Sequence, residues 1–167
     1  DRYSKRGSMR SFIEPYHANR VAISSSITPI LNIIEGRNVV IIDDSIVRGT
    51  SSASIIEIIR GAGAKKVSLL VTYPPIRFPC YAGIDFPSQD ELLAYREATN
   101  EKSEINIALK ISERIGADYV GYNDTSNLAK AIGLPETELC FTCSTGDYSP
   151  LGIKPTFKSR AEMKGDK

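Results

Sequence analysis

The stretch Arg37–Tyr73 constrains the fold more than any other part of the chain. A short apolar run is followed by a loop of small residues, an amphipathic segment rich in isoleucine, a pair of glycines and a second apolar run. RNVVIID (Arg37–Asp43) is almost wholly apolar, which predicts a strand buried on both faces of a parallel sheet. SSASIIEIIRGAGA predicts a helix, with Ile55, Ile56, Ile58 and Ile59 forming its apolar stripe and Gly61 or Gly63 ending it. KVSLLVTY (Lys66–Tyr73) predicts the next strand, cut off by Pro74 and Pro75. Strand, loop, helix and strand make one βαβ unit, and hence an α/β domain on a parallel sheet.

The flanking segments are less regular. Residues 1–30 combine basic side chains, Gly7, Pro15 and the serines Ser24–Ser26 with few periodic hydrophobics, and read as irregular. PILNIIE (Pro29–Glu35) predicts a short helix ending at Gly36. Beyond Pro75, Ser88 is placed to cap a short helix over QDELLAY, with Glu91 in the capping-box position. Ile105–Ile115 predicts a helix ending at Gly116, and Asn127–Ile132 another ending at Gly133. From Pro135 the chain is rich in turn residues and ends in the charged tail KSRAEMKGDK, where fraying is expected.

With 167 residues, one domain with a real core is expected. The 21 basic and 20 acidic residues nearly cancel, so charge gives no case for nucleic acid or an anionic membrane as partner. No apolar run approaches the length of a bilayer span. The chain begins DRYSKRGSMR, without a methionine or a secretory signal, which raises the expectation of a trimmed or partial chain. The three cysteines, Cys80, Cys140 and Cys143, make a poor disulfide framework and favour a reducing, cytoplasmic setting. The single histidine, His17, leaves little room for His-based metal or triad chemistry.

The two adjacent aspartates at the end of the first predicted strand point to a site. Like charges repel, so Asp43 and Asp44 are not placed there for stability. In open α/β sheets, ligands bind beyond the carboxyl ends of the strands. Ser45–Thr50 leads from there into a helix N-terminus, which offers backbone N–H groups and the positive end of a dipole to a phosphate. Ser45, Thr50, Ser51 and Ser52 add hydroxyl donors, and Gly49 lets the backbone come close. The carboxylates can accept hydrogen bonds from sugar hydroxyls or help hold Mg2+. The plainer alternative is that they only cap the following turn, as Asx residues often do.

V-V-I-I-D-D-S-I-V-R-G-T (Val39–Thr50) resembles the phosphoribosyl pyrophosphate (PRPP) signature of the type I phosphoribosyltransferases. Its D-D-S-I-V-R-G-T wording is similar to that of the glutamine PRPP amidotransferase family. Pro74–Ala94, Ile115–Tyr122 and Cys140–Tyr148 resemble the C-terminal half of that family in the same order, and RSFIEP (Arg10–Pro15) resembles its mobile loop. The resemblance implies a partial type I phosphoribosyltransferase fold, Rossmann-like, with a small irregular and helical C-terminal region. Residues 1–28 would be the loop covering PRPP, 29–135 the transferase core, and 136–167 a cysteine-containing segment and tail. It implies formation of 5-phosphoribosylamine from PRPP and glutamine in the first step of purine synthesis. Asp43 and Asp44 would hold the ribose hydroxyls and Mg2+. Ser45, Ile46, Val47, Arg48, Gly49, Thr50 and Ser51 would cradle the 5′-phosphate, and Arg10 would act from the closing loop.

The family usually has glutamine near His17 and lysine near Ser24, so this chain departs from the pattern there. Cys80, Cys140 and Cys143 match three of the four ligands of a [4Fe–4S] cluster, the fourth lying outside these residues. Spacing by itself fits zinc as well as a cluster, and favours plain buried thiols over either. Ammonia would come from a glutaminase domain that these residues do not include, and a homo-oligomer is expected. Competing readings are a non-catalytic PRPP- or nucleotide-binding module, and one subunit of a split enzyme. RSFIEP and the C-x-x-C pair discriminate, because a bare sensor needs neither.

Overall fold

In the computed structural model, residues 28–83, 88–98 and 103–154 are described. Arg10 and His17, in the expected covering loop, and the charged tail lie outside them. In order come α1 (Leu31–Ile34), β1 (Asn38–Asp43), α2 (Thr50–Gly61), β2 (Lys66–Val71), a 3-10 turn (Gln89–Glu91), α3 (Leu93–Ala98), α4 (Glu104–Ile115), β3 (Tyr119–Tyr122) and α5 (Thr125–Ile132). A 3-10 turn (Glu136–Glu138), the short α6 (Thr142–Thr145) and a last 3-10 turn (Ser149–Leu151) follow. The three strands form one parallel sheet in the order β1-β2-β3.

The core sits on one face of that sheet. Val67, Leu69, Val71 and Val120 point into it and meet Ile56 of α2, Leu93 and Ala94 of α3, and Ile107, Ile111 and Ile115 of α4. These α4 residues recur at helical spacing, so one stripe of the helix is buried while Ile105 and Leu109 stay exposed. Ser103 caps α4, accepting from the Asn106 amide at 3.5 Å, and Gly116 ends it in a left-handed conformation. The carboxylate of Asp118 then accepts from Val67 N at 2.7 Å and pairs with Arg60 at 2.8 Å, fixing the entry of β3 beside β2.

The expectation that β1 is buried on both faces is corrected. Val40 is 57% exposed and Ile42 71%, while Val67 and Leu69 on the packed face are 0% and 2% exposed. Among the described residues helices cover one face only, so half of the apolar run meets solvent. The bare face continues across the sheet through Leu70 and Tyr119. Two further differences are local. The helix expected over QDELLAY divides into a 3-10 turn and α3, and Ser88 makes no capping bond to the backbone there. The other is β3, which no sequence pattern predicts, because four residues ending in Gly121 and Tyr122 carry too little period to show. Helix α2 ends as expected, with Gly61 its last residue, Ala62 at the C-cap and Gly63 beyond it in a left-handed conformation.

Candidate active site

The strand β1 delivers Asp43 and Asp44 to the carboxyl edge of the sheet, and the β1–β2 ladder continues past the strand ends to hold them. Thr72 N donates to Asp43 O and Tyr73 N to Asp44 O, each at 3.0 Å. Both aspartate backbones are therefore pinned as rigidly as a strand. Their side chains accept locally: Asp43 Oδ1 from Asp44 N at 3.0 Å, and Asp44 Oδ1 from Ser45 N at 2.8 Å. Burial raises the pKa of Asp43 above the usual carboxylate value; the charge of Asp44 adds to the rise, and the Asp44 amide opposes it. A cation or a hydroxyl donor in front of Asp43 would favour its charged form and offset the effect of burial.

The loop then divides its residues between support and cleft. The Ile46 side chain is buried in the main core, and Val47 packs on a second cluster containing Ile76, Leu92, Cys143, Tyr73, Cys80 and Tyr95. The carbonyl of Val47 accepts from Leu93 N at 2.8 Å, and Arg48 Nε donates to Glu91 at 2.6 Å. Glu91, expected to complete a helix cap, thus tethers the loop instead. Asp43, Asp44, Ser45, Val47, Arg48, Gly49, Thr50, Ser51, Ser52 and Ile55 line a cleft of about 260 Å³.

At the head of this cleft is an uncapped helix end. Gly49 occupies the N-cap of α2 with φ 79°, and no side chain caps the position. That φ suits glycine alone, and a Cβ at Gly49 would come within 2.5 Å of the Leu93 side chain. The first turn of α2 therefore faces the carboxylates with the positive end of its dipole open to a ligand. Carboxylates on one side and helix amides and hydroxyls on the other suit a ligand carrying both sugar hydroxyls and a phosphate. A second cleft of about 360 Å³ lies behind the loop, between Arg48, Thr50, Glu91, Arg96, Arg114 and Ile115.

Of the expected site residues, the fold gathers Asp43–Ser51 around the first cleft, with Ile46 and Val47 supporting it from behind. The cysteines stand behind that support. Cys143 is buried, Cys80 half-buried and Cys140 exposed, and none is in a disulfide. The Cys143 carbonyl accepts from Arg77 N and Phe78 N, both at 2.9 Å, which draws the approach to Cys80 alongside α6. Burial raises the Cys143 pKa, the hydrogen bond with Tyr73 opposes the rise, and Cys80 and Cys140 add to it. Even so, among the described residues no three His, Cys, Asp or Glu side chains stand close enough to hold a metal ion. Sequence reasoning missed Glu91, Leu93 and Tyr73 as supports of the loop, and no local pattern marks them.

Comparison with known proteins shows what this arrangement matches. The chain is 38% identical over 148 residues to amidophosphoribosyltransferase 1, chloroplastic, of Arabidopsis thaliana, covering 88% of this chain and 24% of that protein. It is 41% identical over 140 residues to the amidophosphoribosyltransferase of Methanocaldococcus jannaschii, covering 83% of this chain and 27% of that one. Glutamine PRPP amidotransferase of B. subtilis, solved with ADP and GMP, superposes with a TM-score of 0.62 at 34% identity. The match covers 86% of this chain and 31% of the solved one. The chain is a homologue of part of amidophosphoribosyltransferase.

No protein-family model matches the chain. It spans about a quarter of the length of the curated relatives, 24% to 28% in the first four. The sheet and helices are those of a type I phosphoribosyltransferase fold, in part, as in the solved PRPP amidotransferase. This amidophosphoribosyltransferase homologue thus carries the strand, loop and helix that form the cleft. Among its described residues no helix is long and apolar enough to cross a membrane.

Proposed function

We propose that this chain is the C-terminal phosphoribosyltransferase portion of an amidophosphoribosyltransferase, and that the cleft at Asp43–Ser51 binds PRPP. The whole enzyme converts PRPP and glutamine to 5-phosphoribosylamine, glutamate and pyrophosphate, the first step of purine synthesis. One observation carries the reading: an uncapped helix N-terminus faces two pinned carboxylates across a single cleft. The 5′-phosphate sits on the first turn of α2 with the hydroxyls of Ser45, Thr50 and Ser51. The ribose hydroxyls donate to Asp43 and Asp44. Attack of ammonia at the anomeric carbon expels pyrophosphate through a transition state with oxocarbenium character. The residues here contribute positioning and negative charge near the ribose rather than a nucleophile.

Mg2+ fits the site, since it is commonly held by one or two carboxylates completed by substrate oxygens. Asp43 and Asp44 would be its protein ligands, and it would neutralise the charge that builds on pyrophosphate. Residues 1–28, with Arg10, would close over PRPP and exclude water. Residues 29–135 form the transferase core in this reading, and 136–167 the cysteine segment and tail. For an iron–sulfur cluster, the donor chemistry of Cys80, Cys140 and Cys143 fits, but four thiolates are needed. Cys80, Cys140 and Cys143 would be three of its ligands, with a fourth from beyond this chain. A reducing cytoplasm and a homo-oligomer complete the proposal, with ammonia delivered from the glutaminase part of the enzyme.

The test is titration calorimetry of the chain with PRPP, with and without Mg2+. Binding that needs Mg2+ and is lost in Asp43→Asn is the expected result. Equal binding by wild type and variant would overturn the assignment of the carboxylates.

A further inference from the structure

We infer that Tyr73 is a positioning residue that ties the PRPP loop to the cysteine segment, so that the state of one is felt by the other. The inference rests on the reading of the Asp43–Ser51 cleft as a PRPP site, and goes beyond it. Tyr73 follows the end of β2, and its two ends hold different parts of the molecule. Its backbone N–H donates to Asp44 O at 3.0 Å, and the neighbouring Thr72 N–H donates to Asp43 O at 3.0 Å. Its hydroxyl reaches the other way, donating to Cys140 O at 3.1 Å with Cys143 Sγ 3.4 Å away. One residue therefore spans from the carbonyl of a ribose-binding aspartate to the C-x-x-C turn.

The link is not a lone hydrogen bond. The Tyr73 ring packs beside Phe141 with centroids 6.1 Å apart, and shares a cluster with Val47 of the loop, Cys80 and Cys143. Packed groups of this kind move together or not at all. A displacement of the 140–143 turn, by a ligand on its thiols or by an added group, would press on Val47 and pull on the Tyr73 hydroxyl. Both supports lead directly to the cleft. Linkage makes the effect reciprocal: a group whose binding at the thiols PRPP weakens by some factor weakens PRPP binding by the same factor.

The experiment uses the full 167-residue chain, wild type and Tyr73→Phe. Alkylation of each cysteine by N-ethylmaleimide is timed by peptide mass mapping, with and without saturating PRPP and Mg2+, and PRPP affinity is measured alongside. In the wild type PRPP should slow modification of Cys143 about three- to tenfold. In Tyr73→Phe the protection should fall below about twofold, and PRPP affinity by about three- to tenfold, as expected for one lost hydrogen bond. Full protection in a folded Tyr73→Phe protein would overturn the inference, because a ligand that only stabilises the fold would protect both proteins alike. If the variant does not fold, wild-type chain alkylated at the exposed Cys140 decides. A drop in PRPP affinity supports the link, and unchanged affinity overturns it. Failure of wild type to bind PRPP has a separate signature and would remove the site reading together with the link.

Discussion

Two strands of this sheet end in acidic loops that run into helices, and the loops use their aspartates in opposite ways. After β3, Asp124 caps α5: its Oδ1 accepts from Asn127 N at 2.6 Å and its Oδ2 from the Asn127 side chain at 2.6 Å. After β1, Asp43 and Asp44 accept from the next residue in line, and the N-cap of α2 is left to Gly49, with no side-chain oxygen on it. One loop spends its carboxylate on its own helix. The other keeps both carboxylates and the helix end facing the same cleft. An Asx helix cap is thus made after β3 but not after β1, where the two carboxylates accept from the amides of the turn that follows them.

Substitutions at the two loops should separate accordingly. Gly49→Val has the largest expected effect, since it forces a branched side chain into a left-handed backbone and against Leu93. A loss of about 2–4 kcal/mol in urea denaturation is expected, with PRPP binding abolished. Asp44→Asn should leave folding nearly unchanged but lower Mg2+-dependent PRPP affinity by roughly tenfold or more, the scale of a hydrogen bond to a charged group. Asp124→Ala should do the reverse, costing about 1 kcal/mol of stability while PRPP affinity, measured by calorimetry, stays as in the wild type. Loss of PRPP affinity in Asp124→Ala would erase the contrast.

The smallest effect is a pH dependence. The raised pKa of Asp43 means the folded chain holds that proton more tightly than the unfolded one. Its contribution to stability is fully present below the unfolded carboxylate pKa and is lost as pH rises through the folded value. Asp43→Asn should flatten this segment of the stability profile in denaturation scans across acidic pH.

The sequence made the βαβ frame legible because every part of it is contiguous: an apolar run, a glycine-bearing loop, an isoleucine stripe, a second apolar run. The cleft was legible for the same reason, since Asp43–Ser52 is one stretch of chain. What props the cleft was not legible. Glu91 lies 43 residues from Arg48, and its spacing from Ser88 fits a local cap as well as a distant ion pair. Tyr73 looked like the last residue of a strand, and its hydroxyl partners lie 67 and 70 residues away. The half-bare strand β1 was misread because Val39–Ile42 is equally apolar at alternate positions, so the run cannot say which face is covered. At β3 the difficulty was brevity, a four-residue strand whose Gly121 interrupts any alternation.

The uncovered side of the sheet has a consequence for anyone handling the protein. Val40, Ile42, Leu70 and Tyr119 present a greasy patch beside the free edge of β1, whose outer amides and carbonyls have no neighbouring strand among the described residues. Patches and edges of this kind recruit other chains. As concentration rises, turbidity and loss to surfaces should begin here. A lysine at Ile42 would be the gentlest cure.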